Sequence, residues 1–235
     1  MPLITAKNLT KKYGNKLVID SLSFEVCKGE FFHILGENGA GKTTLMRMIL
    51  GLTEPDSGEI IYTDTAKTEI GYLPQLSDIQ PDFPASVSEV VLSGFLNRKG
   101  ILFYTPAQRK TAKDIMKRLN IADLWSKPFA SLSGGQRQRV LLSRALCATG
   151  GVLLLDEPLA SLDPIAAAGF FEVLDNLKKQ NYTVIMISHD IHCAIKYADK
   201  ILHLAGEDTF FGTSHDYAHS SVGHKMLEEG HHHND

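Results

Sequence analysis

The sequence is poor in cysteine and contains no long apolar run, and each shortage excludes a class of protein. Its 235 residues include only three cysteines, Cys27, Cys147 and Cys193, which lie far apart. Isolated cysteines in apolar settings are typical of core residues in a reducing compartment, and they argue against a disulfide framework or a cysteine metal site. No apolar run reaches the roughly 18 to 20 residues of a membrane-spanning helix, and residues 1–5 do not resemble a signal peptide.

The chain also lacks an excess of basic charge. Its formal net charge is -3 and its pI is near 6.4, whereas nucleic-acid-binding domains usually carry a basic face. With 43% hydrophobic and 22% charged residues, and without a repeat or a low-complexity linker, it has the composition of one domain with a substantial core. We therefore expect a cytosolic protein that binds no nucleic acid and that, if it acts at a membrane, depends on another chain to span it.

What the sequence does contain is a phosphate-binding loop. Residues 36–43, GENGAGKT, fit the pattern G-x-x-x-x-G-K-[ST]. They follow a predicted buried strand at residues 31–35 and precede a predicted helix at residues 44–50. In such loops, backbone N–H groups at a helix N-terminus surround phosphate oxygens. We expect this segment to bind a nucleoside triphosphate, with Lys42 on the β- and γ-phosphates and the Thr43 hydroxyl on Mg²⁺. The candidate nucleotide-binding residues here are Gly36, Asn38, Gly39, Ala40, Gly41, Lys42, Thr43 and Thr44.

A second motif, LSGGQ at residues 132–136, is followed by an apolar strand that ends in two carboxylates. Residues 152–155 of this strand form a continuous apolar run, as in the centre of a covered parallel sheet. Ligands gather at the carboxyl ends of such strands. Asp156 is therefore placed to hold Mg²⁺, directly or through water, and Glu157 to act on the attacking water.

In this order the motifs resemble those of the ATP-binding-cassette (ABC) ATPases, over nearly the whole chain. Gln75 in GYLPQ matches the family's glutamine loop, Asp163 in SLD matches the loop that crosses the dimer, and His189 in ISHD matches the switch histidine. Tyr13 matches the aromatic residue that stacks on adenine. Taken alone, Tyr13, Gln75 and His189 would each suit an ordinary structural role. Their order along the chain favours the functional one.

The resemblance implies a site shared by two copies of the chain, in which the phosphate loop of one copy and the LSGGQ motif of the other enclose each ATP. Asp163 would link the two sites, Mg²⁺ would be held by Thr43, Gln75 and Asp156, and Gln75 would also belong to the catalytic set. Glu157 would be the general base or water-polarising residue, and His189 would hold the γ-phosphate and the water. The residues that would close the partner's site are Ser133, Gly134, Gly135 and Gln136.

The resemblance also implies a transport role, because the cassette is single and lacks fused membrane helices. The implied partners are a second copy, integral membrane permease subunits and an extracytoplasmic solute-binding protein, with the chain at the cytoplasmic face of the membrane. Residues 82–94 resemble zinc- and manganese-type importer ATPases, which favours import of a divalent metal ion. Import of an iron-chelate or another small solute is the alternative, and a soluble ABC ATPase acting on nucleic acid or the ribosome is a third possibility.

Four apolar residues of this region, Phe83, Val87, Phe103 and Tyr104, are candidates either for contact with a permease or for the local core. The distribution of histidine is the second feature that bears on the transported solute, because six of the ten histidines fall in the last 21 residues. Histidine-rich tracts suggest metal binding, and a solvated polar tail is the other interpretation. The candidate ligands of a zinc-type site are His215, His219, His231, His232 and His233.

Strands that alternate with helices predict an α/β fold with a parallel sheet. We expect a P-loop NTPase core lobe over residues 1–75 and 150–212, which begins with a small antiparallel β-subdomain. A helical lobe with the LSGGQ motif is expected at 76–149, and a histidine-rich tail at 213–235. A hairpin is predicted between residues 59–62 and 68–72. Further helices are predicted at 87–96, 106–119, 139–147 and 164–179, and a further strand at 183–187.

Overall fold

The computed structural model describes most of the chain. The described residues are 2–63, 70–76, 84–97, 103–160 and 162–231. Two predicted metal ligands, His232 and His233, lie outside this part of the chain, as does Phe83, and of His231 only the backbone is described.

Strands and helices alternate along the described chain, which confirms the predicted α/β class. The strands are β1 (Pro2–Tyr13), β2 (Lys16–Cys27), β3 (Phe31–Gly36), β4 (Ser57–Tyr62), β5 (Ile70–Leu73), β6 (Val152–Asp156), β7 (Thr183–Ile187), β8 (Lys200–Leu204) and β9 (Phe210–Thr213). The helices are α1 (Lys42–Ile49), α2 (Val87–Leu92), α3 (Pro106–Arg118), α4 (Gly134–Ala148), α5 (Pro164–Lys179), α6 (Ile191–Tyr197), α7 (Ser214–Ala218) and α8 (Ser221–His231). No helix of the described residues is both long and apolar enough to cross a membrane.

The chain divides into two compact units. The first consists of Met1–Thr68 and Thr183–Asp235, and the second of Glu69–Tyr182. The boundaries of these two units differ from the predicted lobe boundaries. The division into a core lobe, a helical lobe and a tail stays a prediction.

The first unit contains the predicted antiparallel sheet, in the order β2-β1-β4. The long strand β1 pairs along its length with β2, and the two are joined by a tight turn at Gly14. Asn8 and Ser21 have positive φ values of 48° and 44°, and they lie where the register of the two strands shifts. Such bulges bend and twist a strand pair. Ile4 and Leu9 are fully buried and form part of the core.

The first unit also contains a parallel arrangement in which β3 lies between β7 and β8. Every residue of β3 is buried, as expected for a strand at the centre of a parallel sheet. Phe32 lies opposite Ile185 of β7, and Ile34 lies opposite Leu202 of β8. The strand that leads into the phosphate loop is therefore held on both edges.

The predicted hairpin at residues 59–62 and 68–72 is wrong. Strand β4 pairs with β1, with Tyr62 opposite Ile4, and strand β5 pairs in parallel with β6, with Gly71 opposite Leu153. A Cβ at Gly71 would clash with the carbonyl oxygen of Ala145 in α4. Close packing against β6 and α4 thus determines the position of β5. The short polar sequence between β4 and β5 gives no indication of this packing.

Helices dominate the second unit, and their starts are set by side-chain caps. A capping box forms before α2, α3 and α4, at Ser86, Thr105 and Ser133. In each, a hydroxyl accepts a backbone N–H three residues later and the side chain at that position bonds back. Helix α4 consequently begins at Gly134, earlier than the predicted start at residue 139.

The described part of the predicted tail is not a solvated polar segment. Tyr217 of α7 is fully buried and packs with Leu35, Ile201 and Phe210. Its hydroxyl lies 2.9 Å from Nδ1 of the buried His203. Helix α7 is therefore part of the core of the first unit.

Candidate functional site

The phosphate loop connects β3 to α1, and two of its glycines are required by geometry. Gly41 has φ 101°, and a Cβ there would lie 2.8 Å from Cδ1 of Ile19. A Cβ at Gly36 would lie 2.8 Å from the carbonyl oxygen of Leu204. A side chain at either position would clash with the strands on which the loop rests, so the loop keeps its shape only with glycine.

Lys42 is the first residue of α1, and its side chain is buried within the loop. The Nζ atom donates to the carbonyl oxygens of Gly36 and Glu37, at 2.6 and 3.0 Å. An ammonium group has three donors, so these two bonds hold it in place and leave one proton for a phosphate oxygen. The predicted position of Lys42 thus has the right geometry for an anion.

The N-terminus of α1 adds further donors. It has no side-chain cap, because the residue at that place is Gly41. The first N–H groups of a helix have no partner within the helix, and the helix dipole makes this end positive. Thr43 is exposed and Thr44 half-buried beside them. This end of α1 can therefore bind phosphate oxygens.

His189 lies in the same unit as the phosphate loop. It follows β7, which runs in parallel beside β3, so both polar segments leave the carboxyl edge of one sheet, where ligands bind in α/β folds. The side chain of His189 is exposed. The next residue, Asp190, accepts the Cys193 N–H at 2.9 Å and so caps α6.

Tyr13 ends β1 and is 48% exposed. Lys11 Nζ lies 5.8 Å from the centre of its ring. An exposed aromatic face of this kind is able to stack on a base. Its predicted contact with adenine stays a prediction.

The second unit places Gln75 and Asp156 at one edge of a strand pair. Leu73 of β5 lies opposite Leu155 of β6, so Gln75 and Asp156 follow matching positions in parallel strands. The Tyr72 hydroxyl donates to Asp156 Oδ2 at 3.4 Å. Two of the three residues predicted to hold Mg²⁺ therefore follow the same end of a parallel strand pair.

Glu157 lies directly after β6 with φ 44°, in the left-handed region. This conformation is uncommon for a residue with a side chain, and such strain concentrates at functional sites. The sequence motif indicated the carboxylate but carried no signal of this backbone conformation.

The LSGGQ motif forms the start of α4. Ser133 Oγ accepts the Gln136 N–H at 3.4 Å, and Gln136 Oε1 accepts the Ser133 N–H at 3.1 Å. Gly134 and Gly135 form the first turn between them. Asp163 likewise caps α5, through a 2.9 Å bond from the Ala166 N–H. The capping box satisfies the Gln136 N–H and leaves the N–H groups of Gly134 and Gly135, at the helix N-terminus, without a partner within the helix, which suits a phosphate.

Of the five histidines predicted to bind a metal ion, the structure describes the side chains of two, His215 and His219. The rings of His215 and His219 are 4.5 Å apart between centroids, and His219 Nδ1 lies 2.9 Å from the carbonyl oxygen of His215. Among the described residues, no group of three or more histidine, cysteine, aspartate or glutamate side chains has an arrangement that suits a metal ion.

Comparisons with known proteins identify relatives of this chain over most of its length. The sequence pattern of the ABC transporter family matches residues 19–160. The zinc import ATP-binding protein ZnuC of Rickettsia conorii is 38% identical, over 87% of this chain and 84% of that protein. The manganese transport system ATP-binding protein MntB of Bacillus subtilis is 39% identical, over 87% of this chain and 84% of that protein.

Among solved structures, a metal-chelate type ABC transporter in an inward-facing conformation superposes with a TM-score of 0.88. The sequence identity is 29%, and the match covers 97% of this chain and 90% of that one. The chain therefore belongs to the ABC transporter ATP-binding family. It is an ATPase subunit of a transporter, with the fold of the P-loop cassette.

Proposed function

We propose that the chain powers the import of a divalent metal ion, zinc or manganese, by hydrolysing ATP. The observation that carries the proposal is its similarity, over most of both chains, to proteins named for zinc import and for manganese transport. The two names differ in cargo while the identities are nearly equal, so the ATPase subunit does not distinguish zinc from manganese. This is reasonable, because in the proposed system the cargo contacts other subunits.

The residues present fit Mg²⁺ as the cofactor of ATP. A hydroxyl at Thr43, an amide at Gln75 and a carboxylate at Asp156 are all oxygen donors, which Mg²⁺ prefers, and Gln75 and Asp156 lie at one strand edge. When bound with ATP, Mg²⁺ would neutralise charge on the β- and γ-phosphates. Lys42 and the N–H groups of α1 bind and orient the same phosphates, and Glu157 accepts a proton from the attacking water.

We further propose that two copies enclose each ATP, with Ser133 and the glycines of LSGGQ closing the phosphate loop of the partner copy. The support is that the motif forms a second helix N-terminus suited to phosphate, in addition to that of α1. His189 would hold the γ-phosphate, and Asp163 would connect the two sites. Both His189 and Asp163 lie in motifs that this chain shares with the family.

Membrane permease subunits are the partners that the family membership implies, and we propose that a solute-binding protein supplies them with cargo. Of the predicted permease contacts, Val87 is fully buried and belongs to the core, whereas Phe103 is 88% exposed. A single exposed phenylalanine is ordinary on a protein surface, and its exposure leaves the side chain accessible to a partner. Phe103 therefore stays a contact candidate and Val87 does not.

Deletion of the gene for this chain should abolish high-affinity uptake of zinc or manganese. The measurement is accumulation of radioactive zinc, manganese and an iron chelate at low external concentration, in the deletion strain and after complementation. Wild-type chain should restore uptake, and Glu157→Gln, expressed to the same level, should not. The alternative function is import of a metal chelate, which the similarity to the metal-chelate type transporter favours. Loss of chelate uptake alone would replace our proposal with this one.

We also propose that the His215 and His219 pair binds a transition ion weakly, without a role in ATP hydrolysis. Calorimetry with Zn²⁺ at pH 7.5 should show a heat signal that is lost in the double variant His215→Ala/His219→Ala, with ATPase activity retained. Point variants are preferable to truncation after Phe211, because truncation would also remove the buried Tyr217. An unchanged signal in the double variant would assign binding elsewhere.

A further inference from the structure

A buried histidine, His33, lies in the middle of β3, the strand that leads into the phosphate loop. It is the only polar side chain of Phe31–Gly36, and it is fully buried. Its ring stacks on that of Phe31, with 6.2 Å between centroids and an angle of 4° between planes. None of the sequence motifs includes this residue, and an aliphatic side chain would suit the core of a parallel strand better.

His33 contacts the turn that carries His189. Its Nε2 atom lies 2.9 Å from Ser188 Oγ, which is also buried. The same Ser188 oxygen accepts the Asp190 N–H at 3.1 Å, and the Ser188 N–H donates to the carbonyl oxygen of Ile34 at 3.2 Å. The hydroxyl of Ser188, directly before His189, thus forms hydrogen bonds both with the backbone N–H of Asp190, directly after it, and with the ring of His33.

The far side of the turn is fixed as well, because the Asp190 side chain caps α6. His189 therefore projects from a backbone that is held at both neighbours, while its own side chain is exposed. All of these residues belong to the first unit. Since β3 also continues into the phosphate loop, His33 lies between the element that binds phosphate and the element that presents His189.

The charge state of His33 fits a role as a hydrogen-bond partner and not as an acid or base. Burial lowers its pKa to about 3, although the Asp190 carboxylate opposes the shift. The imidazole is therefore neutral at physiological pH. Its Nδ1 atom is buried and has no hydrogen-bond partner among the described residues. A buried polar atom without a partner reduces stability, so stability alone does not account for histidine at this position.

We propose that His33 is a positioning residue for ATP hydrolysis, which acts through the Ser188 hydroxyl to fix the turn that presents His189 to the nucleotide. The proposal rests on the role of His189 given under the proposed function. It predicts that His33 affects the rate of the chemical step and has little effect on ATP binding.

The first test replaces His33 with leucine, which has a similar volume and no polar atom. Loss of one positioning hydrogen bond should lower kcat about tenfold, with KM for ATP changed by no more than about twofold. His33→Gln should restore much of kcat, because a glutamine amide reaches about as far as Nε2 and can bond Ser188. Ser188→Ala should reproduce the loss by removing the other partner. A wild-type kcat in His33→Leu, or a loss that glutamine does not rescue, would overturn the proposal.

The second test repeats His33→Leu in a chain that already carries His189→Ala, with slow turnover followed by radioactive phosphate release. If His33 acts through His189, the leucine substitution should cause no further loss in this background, because coupled residues are not additive. The same tenfold loss in both backgrounds would show that His33 acts elsewhere. If His189→Ala leaves kcat unchanged, the proposed role of His189 fails, and this inference fails with it. A low kcat for His189→Ala with a normal kcat for His33→Leu defeats only this inference.

An independent measurement checks that His33 is buried and neutral and that the variant folds. Because the pKa of the folded state lies below the ordinary 6.5, the stability contributed by the neutral ring is present above pH 6.5 and is lost as the pH falls towards 3. This one group should lower the ratio of folded to unfolded chain about twentyfold between pH 7 and pH 5. Urea unfolding should show that His33→Leu removes this part of the pH dependence. An unchanged dependence would contradict the buried neutral ring on which the proposal stands.

Discussion

Replacing Glu157 with glutamine should abolish ATP turnover while ATP binding remains intact. The amide preserves the shape of the side chain at a strand end with φ 44°, but it cannot accept a proton from the attacking water. A general base contributes about 100-fold or more to the rate, so kcat should fall at least that far in a steady-state assay. Glu172→Gln is a matched control, because Glu172 is an exposed carboxylate of α5 in the same unit, and it should leave kcat unchanged.

The Glu157→Gln variant should accumulate as an ATP-bound dimer. Sedimentation of Glu157→Gln with ATP should show a shift from monomer to dimer, because the enclosed nucleotide is no longer consumed. Adding Ser133→Arg should prevent the shift, since a bulky cation would enter the partner's site. Hydrolysis by Glu157→Gln within about tenfold of wild type, a barrier change of only about 1.4 kcal/mol, would remove Glu157 from the chemical step.

Replacing Lys42 with alanine should act earlier, at nucleotide binding. The Lys42 ammonium is held in the loop by the Gly36 and Glu37 carbonyl oxygens, and its loss removes a charge-assisted hydrogen bond to a phosphate. Such bonds contribute about 1.5–3 kcal/mol, so the Kd for a non-hydrolysable ATP analogue should rise roughly ten- to 100-fold. Calorimetry measures this change directly.

The control for Lys42→Ala is Lys28→Ala, which removes an exposed lysine from the turn between β2 and β3 in the same unit. The net charge changes equally in both variants, so a general electrostatic effect would appear in both. Thermal unfolding of Lys42→Ala should accompany the titration, because the two carbonyl oxygens lose their partner. Near-normal affinity in a folded Lys42→Ala chain would contradict the phosphate-binding role.

Much of the fold was predictable where the local pattern is strong. Helix α5 and strand β7 have the predicted bounds, Pro164–Lys179 and Thr183–Ile187. Both have clear limits in the sequence, since a capping Asp163 and Pro164 start α5 and a continuous apolar run defines β7. The phosphate loop was equally predictable, because its glycines recur at fixed positions of the sequence motif. The structure gives the reason for two of them, since Gly36 and Gly41 are in close contact with neighbouring strands.

Other features depend on partners far away in the sequence, and local patterns could not predict them. The pairing of β5 with β6 joins residues 70–73 to residues 152–155, and no periodicity within residues 59–72 distinguishes it from a hairpin. The burial of Tyr217 requires His203 and Leu35 as neighbours. The histidine-rich composition suggested only a metal-binding tail or a solvated polar tail, and neither interpretation includes a buried tyrosine.

The site was predictable as a set of residue types and not as a geometry. Motif spacing predicted Lys42, Gln75, Asp156, Glu157 and His189 as site residues. It could not indicate the left-handed conformation of Glu157, which depends on the turn after β6. For His33, the one available signal was a polar residue within an apolar strand, and its contact with Ser188 emerges only when β3 and β7 pair.

The central position of β3 has a consequence for the order in which a newly made chain acquires its structure. Strands β1 and β2 are adjacent in sequence and can pair as soon as both are synthesised. Strand β3 follows them directly, yet its two neighbours are Thr183–Ile187 and Lys200–Leu204. The apolar segment FFHIL therefore emerges from the ribosome long before either partner exists, and contacts of such long sequence separation form slowly. During synthesis this apolar segment stays without its strand partners for longer than β1 and β2 do, which exposes it to aggregation and to chaperones, and the phosphate loop that follows it gains its supporting strands only after β7 and β8 are made.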